Sequence, residues 1–427
     1  VICNLYPFEA TVAKPDVTID EAIENIDIGG PAMIRSAAKN HDRVAVITNP
    51  SQYDDLLGEL SERGGTSTEM RARLAAAAFA RTSAYDAKIA AYLSAQGGGD
   101  DLPETLSLGF QRGGALRYGE NPHQTAAQYL DASYSSPTVL GVEPLHGKAL
   151  SYNNLADASA ALELALDLAQ ASDAVGATVI KHANPCGAAT GPSAHDAIDA
   201  ALLGDPIAAF GGIVACSQEI DRQAAERLSA KGLFLEVIVA PAFKPDALER
   251  LRERWTNTRF LAVGNQARPN RAGLMVRSLP GGALAQRIDA VRPDPSTWTL
   301  AAGPTRDDAM RSAAAAMVCV VRALTSNAVA IGRASNGGVA LAGAGAGQMD
   351  RVTSCRLSVE KAGEHAAGGI AASDGFFPFA DGPKILIDAG VTTIVQPGGS
   401  KRDDETMRLC EQRGVTLFMT GVRHFKH

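Results

Sequence analysis

One stretch constrains the fold of this chain more than any other: Ala177-Thr178-Val179-Ile180-Lys181-His182-Ala183-Asn184-Pro185-Cys186-Gly187. Its apolar, β-branched opening reads as a short buried strand. It then breaks into Asn-Pro-x-Gly, where Pro fixes φ and Gly admits a left-handed residue, so a tight turn is predicted over 184–187. Lys181 and His182 are thereby placed at the carboxyl end of a strand, just before the turn. Open α/β sheets bind ligands at such ends. An ammonium group beside an imidazole there is a candidate pair for proton transfer and charge stabilisation. Alone, the pair reads slightly better as a surface lysine and a hydrogen-bonded histidine.

Other segments repeat this alternation of short buried strand and helix. Strands are predicted at Ile213–Ala215, after the glycine pair 211–212, at Glu236–Pro241, Ala328–Ile331 and Thr392–Val395, and also at Val1–Leu5, Arg43–Thr48 and Glu104–Phe110. Ala-rich helical patterns cover 158–169 and 306–324, and a further helix is predicted over 402–412 with Ser400 as its expected cap. A long helix is predicted from Thr66 to about Ala95, opened by a Thr66/Glu69 capping box. Its stripe of Leu74, Ala77, Ala78, Tyr85, Ile89 and Tyr92 reads as core or dimer packing. The Gly/Asp-rich break at 97–101 marks a domain boundary there or shortly after, giving domains 1–104 and 105–427. Val1 begins as though inside a strand, which predicts natural residues upstream of it.

A net charge of −7 argues against non-specific nucleic-acid binding but leaves room for a local anion pocket. Six scattered Cys with no CxxC pair and no zinc-type spacing predict reduced thiols in the cytoplasm and no metal site. No apolar run is long enough to span a bilayer. Gly29-Gly30-Pro31 opens a helix carrying Arg35 and Lys39 on one face, an entry whose free N–H groups suit a phosphate. It is equally an ordinary helix start. Strand 338–342 running into Gly343-Ala-Gly-Ala-Gly347 raises a dinucleotide fold, but it lacks the GxxG ending and a downstream acid. Leu116-Arg117-Tyr118-Gly-Glu-Asn-Pro-His-Gln124 and Ser373-Asp-Gly-Phe376-Phe-Pro-Phe379 are loops dense in polar and aromatic groups.

Several long motifs, in one order, match a single family. They are Asn4-Leu-Tyr6-Pro-Phe, Ile26-Asp27-Ile-Gly29-Gly30 with Arg35-Ser-Ala-Ala-Lys39-Asn, and the loops 116–124 and 373–379. Lys181-His182-Ala-Asn-Pro-Cys-Gly, Phe210-Gly211-Gly212 and Arg423-His-Phe-Lys-His427 complete the set. The chain closely resembles, over nearly its whole length, the bifunctional enzymes that join AICAR (5-aminoimidazole-4-carboxamide ribonucleotide) transformylase to IMP cyclohydrolase in purine biosynthesis.

The resemblance implies an α/β protein: a partial methylglyoxal-synthase-like cyclohydrolase domain, then a larger transformylase region of cytidine-deaminase-like subdomains. It implies formyl transfer from 10-formyltetrahydrofolate to the 5-amino group of AICAR, then dehydrative closure of formyl-AICAR to IMP. His182 would accept the proton, Lys181 would stabilise the oxyanion, and Asn327 would assist at the formyl group. Arg117 and Tyr118 would hold the nucleotide. Asn154, Phe210, Gly211, Glu236, Arg351, Phe376 and Arg423 would line the nucleotide and folate pockets, with Glu236 replacing an Asp of some relatives. Asn4, Tyr6, Asp27, Gly29, Gly30 and Lys39 would form the cyclohydrolase site. The family's first strands, with their phosphate-binding loops and a further lysine, have no counterpart here, which predicts little or no cyclisation. A homodimer with shared transformylase sites, no catalytic metal, no nucleic acid and no membrane complete these expectations. Two competing readings, an acidic scaffold with no organised pocket and a nicotinamide oxidoreductase using Gly343–Gly347, lose to this ordered set of motifs.

Overall fold

The computed structural model describes residues 1–96, 102–131, 134, 138–264 and 273–427. The boundary predicted at 97–101 lies outside them. The chain divides into two units. The first holds Val1–Gly113, Tyr129–Ser135 and Val276–Gln286, and the second holds Gly114–Gln128, Ser136–Met275 and Arg287–His427.

The first unit is mainly helical: α1 (Phe8–Val12), α2 (Ile19–Glu24), α3 (Gly29–Lys39), α4 (Tyr53–Arg63) and α5 (Thr68–Gln96). The strands expected at 1–5 and 43–48 are reduced to one parallel bridge, Ile2↔Ile47, flanked by Cys3 N–H on the Ile47 carbonyl at 3.0 Å. Helix α5 starts later than expected. Ser67, not Thr66, caps it by accepting the Met70 N–H at 3.1 Å, while the Thr66 hydroxyl accepts from the Arg71 guanidinium at 3.3 Å. Its apolar stripe is core: Leu74 and Tyr85 are buried, and the Tyr85 hydroxyl donates to the Asn25 carbonyl at 3.1 Å.

The remaining elements are β1 (Gln111–Ala115), β2 (Ala127–Leu130), α6 (Tyr152–Ser172), β3 (Val175–Lys181), β4 (Asn184–Gly191), α7 (Ala194–Leu202), β5 (Gly212–Cys216), α8 (Arg222–Leu228), β6 (Leu235–Ala240), α9 (Pro245–Arg254) and β7 (Arg259–Ala262). They continue with β8 (Leu274–Leu279), β9 (Gly282–Arg287), β10 (Thr299–Ala302), α10 (Asp308–Ala323), β11 (Val329–Ser335), β12 (Gly338–Gly345), α11 (Arg351–Ala362), β13 (Ile370–Ser373), α12 (Asp381–Asp388), β14 (Thr393–Gln396), α13 (Asp403–Arg413) and β15 (Thr416–Met419). The strand expected at 104–110 is absent, and pairing begins only at β1.

Eleven strands of the second unit form one sheet in the order β10-β15-β14-β13-β11-β12-β4-β3-β5-β6-β7. That order contains a duplication. In α6-β3-β4-α7-β5-α8-β6-α9-β7, a hairpin is followed by three mutually parallel strands, and α10-β11-β12-α11-β13-α12-β14-α13-β15 repeats the plan. The halves join where β12 runs antiparallel to β4, with Ala340 opposite Ala189.

Both faces of the sheet are buried, so its strands read as continuous apolar runs. In β6, Val237 and Val239 pack in the core that includes α6 and α10, while Ile238 and Ala240 pack in the core of α7, α8 and α9. The helices α11, α12 and α13 enclose the second half in the same way. The glycine-rich run 337–347 belongs to this packing and is not a dinucleotide loop. A Cβ on Gly343 would lie 2.2 Å from the Ser358 carbonyl oxygen, and one on Gly345 would lie 2.1 Å from that of Ser354. Only glycine lets α11 lie this close to β12.

Candidate active site

Strand register gathers most of the candidate residues of the second unit at one rim of the sheet. Lys181, the last residue of β3, pairs with Asn184, the first of β4. Because β4 and β12 are antiparallel, Asn184 lies toward the end of β12, where Gly345 pairs with Val329 and Val329 with Ser373. On the other side, β5 and β6 begin at Gly212 and Leu235. Segments 210–212, 234–236, 181–184, 325–329, 345–351 and 373–376 therefore meet at this rim.

The β3–β4 connection differs from the sequence expectation. Asn184-Pro185-Cys186-Gly187 is strand, and the turn is His182-Ala183 itself. Pro185 is tolerated because a bulge interrupts the ladder between Val179 and Ile180. Both turn residues are left-handed, His182 at φ 53° and Ala183 at φ 60°. That is the twist a two-residue hairpin needs, but non-glycine residues adopt it at a cost of about 1–2 kcal/mol each. Three groups hold the turn, two of them distant in sequence. Asp157 of α6 accepts the His182 N–H at 3.1 Å and the Ala183 N–H at 2.7 Å. The Lys426 amine donates to the Ala183 carbonyl at 3.0 Å and to that of Ala323 at 2.8 Å. The Asn184 amide donates to the His182 carbonyl at 3.0 Å and accepts the Thr325 N–H at 2.9 Å. Burial holds the Lys426 ammonium below the ordinary lysine range.

His182 is exposed, whereas Lys181 is half-buried and donates to the Phe210 carbonyl. Gly211, at φ 76°, donates its N–H to the Phe234 carbonyl at 2.7 Å, and the Phe210 and Phe234 rings sit 5.2 Å apart. Arg351 is the hub of the opposite side. Its guanidinium pairs with Asp374 and donates to Ser373 Oγ at 3.0 Å and Asn327 Oδ1 at 2.8 Å. The Asn327 amide donates in turn to the Gln348 carbonyl at 2.9 Å. Asp374, 1 % exposed, also accepts the Ser326 hydroxyl at 2.5 Å. The Phe425 ring lies 5.9 Å from the Arg351 guanidinium and 4.3 Å from that of Arg423.

Within the first unit a cavity of about 590 Å³ is lined by Asn4, Tyr6, Asp27, Gly29 and Gly30, with Cys3, Glu24 and Met33 among its other walls. Asp27 organises it. Its Oδ1 accepts the Gly30 N–H at 2.7 Å and its Oδ2 the Tyr6 N–H at 3.3 Å. A Cβ on Gly30 would lie 2.5 Å from that carboxylate. The helix entry expected to bind phosphate is thus occupied by the protein's own anion, and Pro31 has no N–H to offer.

The AICARFT/IMPCHase bienzyme family model matches residues 37–361. The chain belongs to this family. It is 44% identical to the bifunctional purine biosynthesis protein PurH of Rhodopirellula baltica and 46% identical to that of Cutibacterium acnes. Each match covers 100% of this chain and 80% of the relative. The PurH protein of Bacillus cereus is 44% identical over 100% of this chain and 81% of its own length. The motifs on which the resemblance was read therefore do belong to a bifunctional purine biosynthesis enzyme.

Measured against the family expectation, the rim brings Lys181, His182, Phe210, Gly211, Asn327 and Arg351 together, with Arg423 linked through Phe425 and Phe376 two residues beyond Asp374. Three other residues have structural occupations. Asn154 is the third residue of α6, not a position before it, and forms a reciprocal capping box with Ser151 at 3.2 Å. Glu236 lies at the head of β6, where it is the counter-ion of Arg259 at 2.5 Å; that arginine is 4 % exposed. Arg117 stacks over Tyr118 at 5.2 Å, in the loop whose Tyr118 carbonyl accepts the Tyr152 N–H at the start of α6. In the first unit, Lys39 ends α3 while the cavity lies at the opposite end, so the two are not brought together. Arg35 is turned over the Phe79 ring at 5.5 Å. Asp157 and Lys426 were missed as site residues. The only signal for Asp157 was an acid following the polar run Asn153-Asn154, and Lys426 lay unassigned within a terminal motif.

Proposed function

We propose that the rim of the large sheet is the site where a formyl group passes from 10-formyltetrahydrofolate to the 5-amino group of AICAR. The observation that carries this reading is the His182-Ala183 turn, which sets an exposed imidazole next to the Lys181 ammonium at a rim of polar and aromatic groups. The AICAR amine is a poor nucleophile because its lone pair is delocalised into the ring and carboxamide. His182 removes its proton as nitrogen attacks the formyl carbon. Lys181, with two N–H groups left beyond its bond to Phe210, stabilises the oxyanion of the tetrahedral adduct. Collapse breaks the bond to N10 of the folate, and that nitrogen takes up a proton, delivered with help from Lys181. Asn327 keeps one amide N–H for the formyl oxygen. Arg117, Tyr118, Arg423 and Phe376 serve nucleotide and folate binding, with the second unit as the transformylase.

The first unit's cavity is the cyclohydrolase site in this reading, with Tyr6 and Asp27 steering protons as formyl-AICAR loses water to give IMP. The working form is a homodimer with shared transformylase sites. Tetrahydrofolate release from AICAR and 10-formyltetrahydrofolate tests the first step. His182→Ala and Lys181→Ala are each expected to lose at least about 10²-fold in kcat. Near-wild-type rates in both would overturn the assignment.

A further inference from the structure

We infer that Asp157 and Lys426 are positioning residues for formyl transfer: they clamp the His182-Ala183 turn and so fix the imidazole. This rests on the reading of His182 as proton acceptor. The fold itself does not require such a turn. In the second half of the duplicated sheet the equivalent hairpin joins β11 to β12, with Ser335 opposite Gly338, as Lys181 stands opposite Asn184. There the two turn residues are Asn336 and Gly337. Only Gly337 is left-handed, at φ 74°, a conformation glycine adopts without steric penalty. The first half places two left-handed residues with side chains at the same topological position, and one of them is the histidine. Backbone strain of this kind persists only where the surroundings over-determine it.

The clamp is complete on both sides of the turn. Both Asp157 oxygens are spent on the two turn N–H groups, and Lys426 takes the Ala183 carbonyl from the C-terminal segment. That segment is itself pinned, since the Lys426 carbonyl accepts the Ser326 N–H at 2.9 Å. None of these contacts uses the imidazole. Asp157 and Lys426 therefore act on where His182 is held, and they leave AICAR binding to other residues.

The test uses the full chain and compares Asp157→Asn, Lys426→Met and the double variant Asp157→Asn with Ala183→Gly, with His182→Ala run in parallel. An Asn at 157 can accept only one of the two N–H groups. Asp157→Asn is expected to lower kcat by about 10- to 100-fold, the scale of an ångström-sized misplacement, with KM for AICAR within about threefold. Lys426→Met shifts kcat in the same direction. Adding Ala183→Gly removes the steric cost of φ > 0 at that position and is expected to recover about fivefold or more of the lost kcat. A group acting directly on the reacting atoms, or one needed only for global folding, would not be rescued by a glycine in the turn. The clamp is overturned if Asp157→Asn leaves kcat within about twofold, or if Ala183→Gly restores nothing. His182→Ala separates the two readings. If it too stays near wild type, the proton-acceptor assignment has failed; if it abolishes turnover while Asp157→Asn does not, the clamp alone has failed.

Discussion

Arg351→Met isolates a buried ion pair at the rim. The guanidinium and the Asp374 carboxylate are both almost completely buried, with side chains 7% and 0% exposed. Methionine keeps the aliphatic stem and removes the charge. Asp374 would then be left as a buried anion with Ser326 Oγ as its remaining side-chain donor. Removing one partner of a buried pair costs about 3–5 kcal/mol, mostly the penalty of the stranded charge. With a urea dependence on the order of 3 kcal/mol/M, the unfolding midpoint should fall by about 1–1.7 M. The assay is tryptophan fluorescence in urea without ligand. Both tryptophans, Trp255 and Trp298, are buried in the second unit and report on it alone. The decisive variant is Arg351→Met with Asp374→Asn. Neutralising the stranded acid should make the double variant more stable than Arg351→Met by about 1–3 kcal/mol. A double variant as unstable as the single one, or less stable, would refute the buried-charge argument.

Two further outcomes follow from named contacts. Gly345→Ala places a Cβ 2.1 Å from the Ser354 carbonyl oxygen and should cost about 1–3 kcal/mol in the same assay; a midpoint equal to wild type would refute the close packing of α11 on β12. In the first unit, burial raises the Glu9 carboxyl pKa, but the hydrogen bond and charge of Arg81, 2.9 Å away, outweigh it and leave the pKa below the usual glutamate value. A lowered carboxylate pKa adds stability above the unfolded value of about 4.3 and loses it as pH falls through the folded value. The protection of α1 amides, taken relative to the intrinsic exchange rate at each pH, should therefore fall below about pH 4 in the wild type, and Glu9→Gln should flatten that dependence.

Much of the second unit was legible in the chain. Runs such as Val237-Ile238-Val239 must be buried on both faces, and Ala-rich segments such as 308–323 must be helical, so strand and helix positions followed from local chemistry. The length and order of the motifs also fixed the family. Other features depended on contacts the chain does not announce. Asn-Pro-Cys-Gly looked like a turn, yet a bulge lets Pro185 sit in β4, and the turn moved onto His182-Ala183 because Asp157, 25 residues before His182, and Lys426, 243 residues after Ala183, hold it there. The glycine run at 337–347 raised a dinucleotide fold because glycine signals close backbone approach without naming what approaches; here it is helix α11. The strands predicted at 1–5 and 43–48 had the right composition, but a sheet also needs neighbours to accept its hydrogen bonds. The duplication of the second unit is a repeat of topology, seen in the order and pairing of its strands. By itself the sequence determined which segments had to be buried and which chemistry the chain carries. Only the tertiary structure decided which polar groups meet, because hydrogen-bond partners and backbone strain are set by strand register across the sheet and not by neighbours along the chain.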